Sequence, residues 1–199
     1  MSSFMAYLSR LKYVGRWGLM RNTAQENGME HSYMAAAIAH MLGVITNEGG
    51  GALDLGKIVL YSLYHDAAEV LTGDLPTPVK YFDPDIYKAY SNMEEFAADA
   101  LLNLLPENLR EPYSSVMKPD KTSEEWKIVK AADRISAYLK CVEEIRSGNM
   151  EFTKAHEQIE KNLRNCEIPA VAVFLEEFAP AFSMTLDQLG PRFDKNADG

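Results

Sequence analysis

An all-α fold is what the sequence predicts, and three observations carry that expectation. Apolar residues recur at three- and four-residue spacings along most of the chain, no segment alternates apolar and polar residues over a useful strand length, and residue pairs suited to capping stand before the periodic runs. The chain of 199 residues, 47% of them hydrophobic, is long enough to bury a sizeable core without disulfides or a structural metal. No internal repeat and no Pro/Gly/Ser linker divides it. One compact domain is therefore expected over 1–199, with residues 28–145 at its centre and the last residues, 191–199, frayed.

Phe4, Tyr7, Leu8 and Leu11 give a short first helix. Residues 15–28 read as a loop with isolated large side chains, Arg16, Trp17, Leu19, Met20 and Arg21. Asn27 followed by Glu30 has the form of a capping box. It opens a helix over about 28–46 whose apolar stripe carries His31, Met34, Ile38, Met41 and Ile45. A third helix is expected over about 54–71, containing His65, Asp66 and Glu69. TGDLPTPVK (72–80), with two prolines and a glycine, reads as an ordered turn rather than a helix. A fourth helix over about 84–105 places Ile86, Met93, Phe96, Ala97, Ala100 and Leu104 on its apolar side. Pro106 starts a fifth that ends by Pro119. Thr122 with Glu125 is a second candidate capping box, opening a helix to about Arg146 that Gly148 stops. Two more helices are expected, over about 151–165 and from Pro169 to Pro180.

Twenty Lys+Arg against 29 Asp+Glu give a formal charge of −9. A long nucleic-acid duplex needs a basic surface, so that class of partner is disfavoured. A small anion held by local cations or a metal is not. No run approaches 18 apolar residues, so no membrane span is expected. Cys141 and Cys166 suggest neither a disulfide framework nor a zinc-thiolate cluster. The first residues carry their charges, Arg10 and Lys12, late, the reverse of a signal peptide. A reducing, cytoplasmic setting is the expectation.

His65 and Asp66 stand side by side in the apolar context IVLYSLYHDAAEV, with Glu69 one turn on. A carboxylate in such surroundings must pair, coordinate a metal or neutralise. His31 lies on the apolar stripe of the preceding helix, and Asp133 falls mid-helix in IVKAADRISAYL beside Lys130 and Arg134. Each has a bland reading taken alone: a satisfied core histidine, or a local ion pair. His40, half a turn from His31, and His156 in KAHEQIEK read as surface residues. Taken together, two imidazoles and two carboxylates form a mixed N/O ligand set. Such a set suits manganese, iron, cobalt or zinc, which can activate a water and polarise a phosphoryl oxygen. Asp74 and Glu69 are placed to orient that water or carry a proton. Arg16 offers a planar fork for phosphate, and Trp17 a rigid wall for a base or sugar. Thr77, Pro78, Val79 and Lys80 supply a hydroxyl, a rigid ring and a cation. No Walker A, GxGxxG or GxSxG sequence is present.

In order, His31, His65-Asp66 and Asp133 resemble the H…HD…D pattern of the HD-domain metal-dependent phosphohydrolases. The surrounding text is more specific. RW at 16–17, EHS at 30–32, YHDAAEVLTGDLPTPVKY at 64–81 and KAADRISAYLKCVEE at 130–144 strongly resemble the bacterial HD-domain 5′-deoxynucleotidases of the YfbR type, over nearly the whole length. The resemblance implies the HD-domain helical fold, with His31, His65, Asp66 and Asp133 as ligands of one divalent ion per subunit. Cobalt or manganese is the first choice, with zinc, copper or iron as other candidates. It implies catalytic carboxylates at Glu69 and Asp74, phosphate and sugar contacts from Arg16, Trp17 and Asp74, and a nucleotide-lining loop of Thr77, Pro78, Val79 and Lys80. The implied reaction is hydrolysis of deoxyribonucleoside 5′-monophosphates by a cytoplasmic homodimer. The same site on cyclic nucleotides, triphosphates or guanosine alarmones, and a non-catalytic metal-binding scaffold, are the rival readings. Gly28, Met29 and Arg134 depart from the family pattern without removing a ligand.

Overall fold

The computed structural model describes residues 1–190, so the expected fraying of 191–199 lies outside the described residues. Ten α-helices are present among them: α1 Phe4–Leu8, α2 Gly28–Glu48, α3 Leu55–Tyr64, α4 Glu69–Thr72, α5 Thr77–Lys80, α6 Pro84–Leu102, α7 Glu107–Met117, α8 Glu124–Arg146, α9 Thr153–Arg164 and α10 Pro169–Glu177. Short 3₁₀ turns at Ser9–Tyr13, Met150–Phe152 and Ala179–Ser183 join them. The only extended pairing among the described residues is an isolated antiparallel bridge between Gly15 and Asn27. The all-α expectation holds.

The central layer is α2 packed between α3 and α8. The capping box at its start is formed as the sequence predicts. Asn27 accepts from the Met29 and Glu30 amides, while the Glu30 carboxylate accepts from the Asn27 amide at 3.1 Å. Small residues let the helices approach closely. Ala35, Ala36 and Ala39 of α2 and Ala131 and Ala132 of α8 are all buried. A Cβ at Gly43 would lie 2.7 Å from Leu55 Cδ2, so a larger residue there would oblige the Leu55 side chain of α3 to shift. Ile38, Leu42, Ile58, Val129, Ile135 and Phe174 fill the main core, and Phe4, Leu101, Leu102 and Leu105 form a second cluster under α6.

Four local expectations are corrected. The third helix does not run through 54–71: α3 stops at Tyr64, residues 65–68 are tight turns, and α4 begins at Glu69. The segment expected as an ordered turn rather than a helix contains a helical turn: TPVK is α5, with Pro78 near its start, where a missing N–H costs nothing. The α8 N-cap is Ser123, whose hydroxyl accepts from the Trp126 amide, while Thr122 bonds to Asp120. On α6, Ile86, Met93 and Phe96 are exposed, Phe96 by 75%, and Tyr90, Ala97, Ala98, Leu101 and Leu102 turn inward. Tyr90 is drawn in because its hydroxyl donates to the Gly73 carbonyl at 2.9 Å.

Candidate metal centre

The break between α3 and α4 makes the site. His65 Nδ1 donates to the Ser62 carbonyl at 2.7 Å. Beyond it the backbone tightens to three-residue bonds, Ala67 N–H to Tyr64 O at 3.0 Å and Glu69 N–H to Asp66 O at 2.9 Å. The imidazole engages a carbonyl of the last turn of α3. With its proton on Nδ1, the ring aims Nε2 and its lone pair into the interior. Asp66 turns to meet it: Oδ2 lies 3.1 Å from His65 Nε2 and 3.6 Å from His31 Nε2.

His31 arrives from the first turn of α2, fully buried, and Asp133 from the middle of α8. Their contact, His31 Nε2 to Asp133 Oδ1, is 3.1 Å, and the same oxygen is 3.9 Å from His65 Nε2. The ligand atoms of His31, His65 and Asp133 all lie within 4.8 Å of one another, a spacing that can hold a metal ion. Asp66 is not a member of that three-way set, although its Oδ2 reaches both imidazoles. Ser136, one turn past Asp133, meets His31 Nδ1 at 3.2 Å and orients the ring from behind. Lys130 pairs with the other Asp133 oxygen, Oδ2, so the local ion pair and the metal-facing role coexist on one carboxylate.

The donor set fits a divalent cation. His65 Nε2 is buried and has no hydrogen-bond partner, although carboxylates crowd it. Burial alone would lower the His65 pKa; Asp66 and Asp133 overcome it and raise it to about 10. The field at that nitrogen thus demands positive charge, and two nitrogens with carboxylate oxygens are ligands for a transition ion. Asp133 is held well below the usual carboxylate range: burial opposes this, but Lys130 and the two histidines prevail.

The remaining expected residues surround this centre unevenly. Glu69 is buried, its Oε2 has no partner, and burial, Asp66 and Asp74 raise its carboxyl to about 9. Asp74 is partly buried and also raised, by burial against the pull of Arg16. Arg16 reaches in from the loop before α2, its Nη1 3.3 Å from Asp66 Oδ2 and its Nε 3.3 Å from Glu26 Oε2. Trp17 donates from Nε1 to the same Glu26 oxygen at 3.1 Å. Lys80 pairs with Glu94 at 2.9 Å and lies over the Tyr90 ring. Thr77, Pro78 and Val79 are exposed, and among the described residues no side-chain hydrogen bond ties them to the metal-facing group. His40 is exposed as expected; His156, expected at the surface, is half-buried, its ring tilted against Tyr138 with centroids 4.9 Å apart. Glu26 carries no motif signal in AQEN, and only the fold reveals it.

A helical core that brings His31, His65, Asp66 and Asp133 together from three separate segments defines the HD-domain phosphohydrolase class. Solved structures agree on the fold. An HD-domain phosphohydrolase from Listeria innocua superposes with a TM-score of 0.80 over 90% of this chain and 88% of its own, at 24% identity. A cyanophage S-2L HD phosphohydrolase, solved with dA and one catalytic zinc ion, gives 0.61 over 90% of this chain and 96% of its own, at 18% identity. Sequence relatives are nearer. A 5′-deoxynucleotidase of Vibrio cholerae is 46% identical over 194 residues, covering 94% of this chain and 98% of its own, and one of Yersinia pestis is 44% identical over 191 residues, covering 95% and 97%. The family model "5′-deoxynucleotidase YfbR-like" matches residues 3–182, and the chain belongs to that family.

Proposed function

We propose that this protein hydrolyses deoxyribonucleoside 5′-monophosphates to the deoxyribonucleoside and orthophosphate, with one divalent ion per subunit, cobalt or manganese. The observation that carries the reading is the buried, partnerless His65 Nε2, facing two carboxylates and a second imidazole. His31, His65 and Asp133 would hold the ion, with Asp66 as fourth ligand. When bound, such an ion acidifies water and polarises a phosphoryl oxygen.

The chain's own groups supply the rest. Arg16 presents Nη2, which makes no hydrogen bond among the described residues, to the phosphoryl group, and neutralises its growing charge. Glu69 and Asp74 divide two proton transfers: one proton leaves the attacking water, and one reaches the 5′ oxygen as its bond to phosphorus breaks. Trp17 walls the sugar. A hydroxyl added at C2′ there gives up water without gaining a partner. Lys80, with Thr77, Pro78 and Val79, lines the entrance.

The setting is the cytoplasm, where the thiols Cys141 and Cys166 stay reduced; both are free, and no helix among the described residues is long and apolar enough to cross a membrane. A homodimer is the assembly, with the exposed Phe82, Ile86, Met93 and Phe96 as the apolar face a second copy covers; sedimentation velocity reads it directly. The activity is tested by phosphate release from dAMP, dTMP and AMP after stripping and restoring individual metals. Release from the deoxynucleotides that returns with cobalt or manganese is expected. No release from any of the three with any metal overturns the reading, and so does a chromatographic product assay in which only cyclic nucleotides, triphosphates or pyrophosphorylated guanosines are consumed.

A further inference from the structure

The loop that carries Arg16 and Trp17 is built around one carboxylate. Arg16 N–H donates to the Glu26 carbonyl at 3.0 Å and Gly28 N–H to the Val14 carbonyl at 2.9 Å, framing the Gly15–Asn27 bridge. Residues 16 and 26 therefore stand opposite each other on two antiparallel segments, where side chains meet. Glu26 Oε2 uses that register to accept twice, from Arg16 Nε at 3.3 Å and Trp17 Nε1 at 3.1 Å.

Both partners need such an anchor. Trp17 is the only non-glycine residue among those described with a positive φ, +58°, a left-handed conformation that a bulky side chain adopts only when its surroundings hold it. Its indole is fixed at two points, on Phe152 with ring centroids 5.1 Å apart and at Glu26 through the ring N–H. The Arg16 guanidinium is likewise clamped at Nε by Glu26 and at Nη1 by Asp66, which fixes the plane in which Nη2 projects.

We propose that Glu26 is a positioning residue that sets the discrimination against ribonucleotides by locking the Trp17 wall and the Arg16 fork to one another. This rests on the deoxynucleotidase reading above. Glu26 is not in the metal-ligating group, and its carboxylate accepts from Arg16 and Trp17. It acts by making the distance between phosphate fork and sugar wall a fixed quantity, so that a 2′-hydroxyl cannot be accommodated by a shift of the indole.

The test is the ratio of kcat/KM for dAMP and AMP in E26A, E26D and E26Q, alongside the fluorescence of Trp17 as sole tryptophan in a W126F background. A tight apolar wall rejects an added hydroxyl only modestly, so E26A is expected to lower the dAMP/AMP ratio about tenfold. E26D keeps the charge but withdraws the oxygen by one methylene, and is expected to follow E26A. E26Q still offers an amide oxygen to the indole and is expected to hold the ratio within about threefold. Trp17 emission should shift to the red and acrylamide quenching should rise in E26A and E26D, but not in E26Q. Equal losses on both substrates, or Trp17 emission and quenching unchanged from wild type in E26A, overturn the proposal. If the wild type releases no phosphate from dAMP, the reading of the site fails instead, and the quenching comparison still decides whether Glu26 holds the indole.

Discussion

At the scale of single residues, the site depends on groups that never face the ion. A histidine ligand is useful only if its proton sits on the far nitrogen: the Ser62 carbonyl, which can only accept, enforces this at His65 Nδ1, and the Ser136 hydroxyl, which can accept or donate, is the partner of His31 Nδ1. The carbonyl belongs to the backbone and cannot be removed by substitution. The serine hydroxyl can. S136A is expected to weaken cobalt or manganese binding about tenfold or more, the usual consequence of losing such a support. Ser136 is buried at 4% exposure and alanine fits its space, so the fold should persist. Calorimetric titration of the metal into both proteins decides it; equal affinities would show that packing alone orients His31. Ser136 stands one turn from Asp133 in the sequence, but its contact with His31 needs α2 and α8 to be packed together. Glu26 is not legible in the sequence, because the bridge that sets it opposite Arg16 is a product of the folded loop.

At the scale of elements, one local signal survives whole, and the expectations that tertiary packing decides do not. The Asn27–Glu30 box depends on four consecutive residues and forms as written. The end of α3 does not, because the apolar periodicity runs straight through His65-Asp66 while the His65 ring bonds the Ser62 carbonyl and the chain tightens. On α6 the inward side is the one that carries Leu101 and Leu102, which cluster with Phe4, and Ala97 and Ala98 are buried as well. No periodicity can show that. At the start of α8 the cap falls one residue after the Thr122 that the sequence suggests. Ser123 Oγ accepts from the Trp126 amide at 3.2 Å, whereas Thr122 bonds outward to Asp120. S123A should cost about 1 kcal/mol of stability, and T122A under about 0.5 kcal/mol. Urea denaturation separates them, and a larger loss in T122A would put the cap one residue earlier. Because α8 carries Asp133 and Ser136, the element that is capped is also the one that presents one expected ligand and the partner of another.

At the scale of the molecule, two polar clusters hold distant segments together, one without an ion and one built for an ion. The first is centred on Glu144, 1% exposed, which pairs with Lys140 and accepts from the Thr23 and Ala24 amides and from Asn149. It ties the loop of Arg16 and Trp17 to the end of α8. Burial would raise the Glu144 carboxyl; Lys140, Thr23 and Asn149 outweigh it and hold it well below its ordinary value of 4.5. The unfolded chain therefore takes up this proton first. The stability Glu144 contributes is full above about pH 5 and is lost as pH falls below it. E144Q, which cannot titrate, should be less stable at pH 7 by about 3 kcal/mol because Lys140 is left buried and unpaired. Its deficit should narrow between about pH 5 and pH 3. A deficit independent of pH would mean that the carboxylate charge does not matter.

The second cluster joins α2, the 65–68 turn and α8: the ligand atoms of His31, His65 and Asp133 converge from distant parts of the chain, and Asp66 Oδ2 reaches both imidazoles. An unfolded chain cannot present that set, so a cation that binds it binds the folded state alone. At a hundredfold excess over its Kd, the ion should add about 2.7 kcal/mol. For a chain of this size that is a rise of roughly 5–10 °C in Tm. Calorimetric melts of the chelator-stripped protein, repeated with cobalt or manganese and then with D133A, read the effect. The rise should appear in the wild type and disappear in D133A. A metal-induced rise of the same size in D133A would place the ion somewhere other than between these three segments, whatever activity the protein shows.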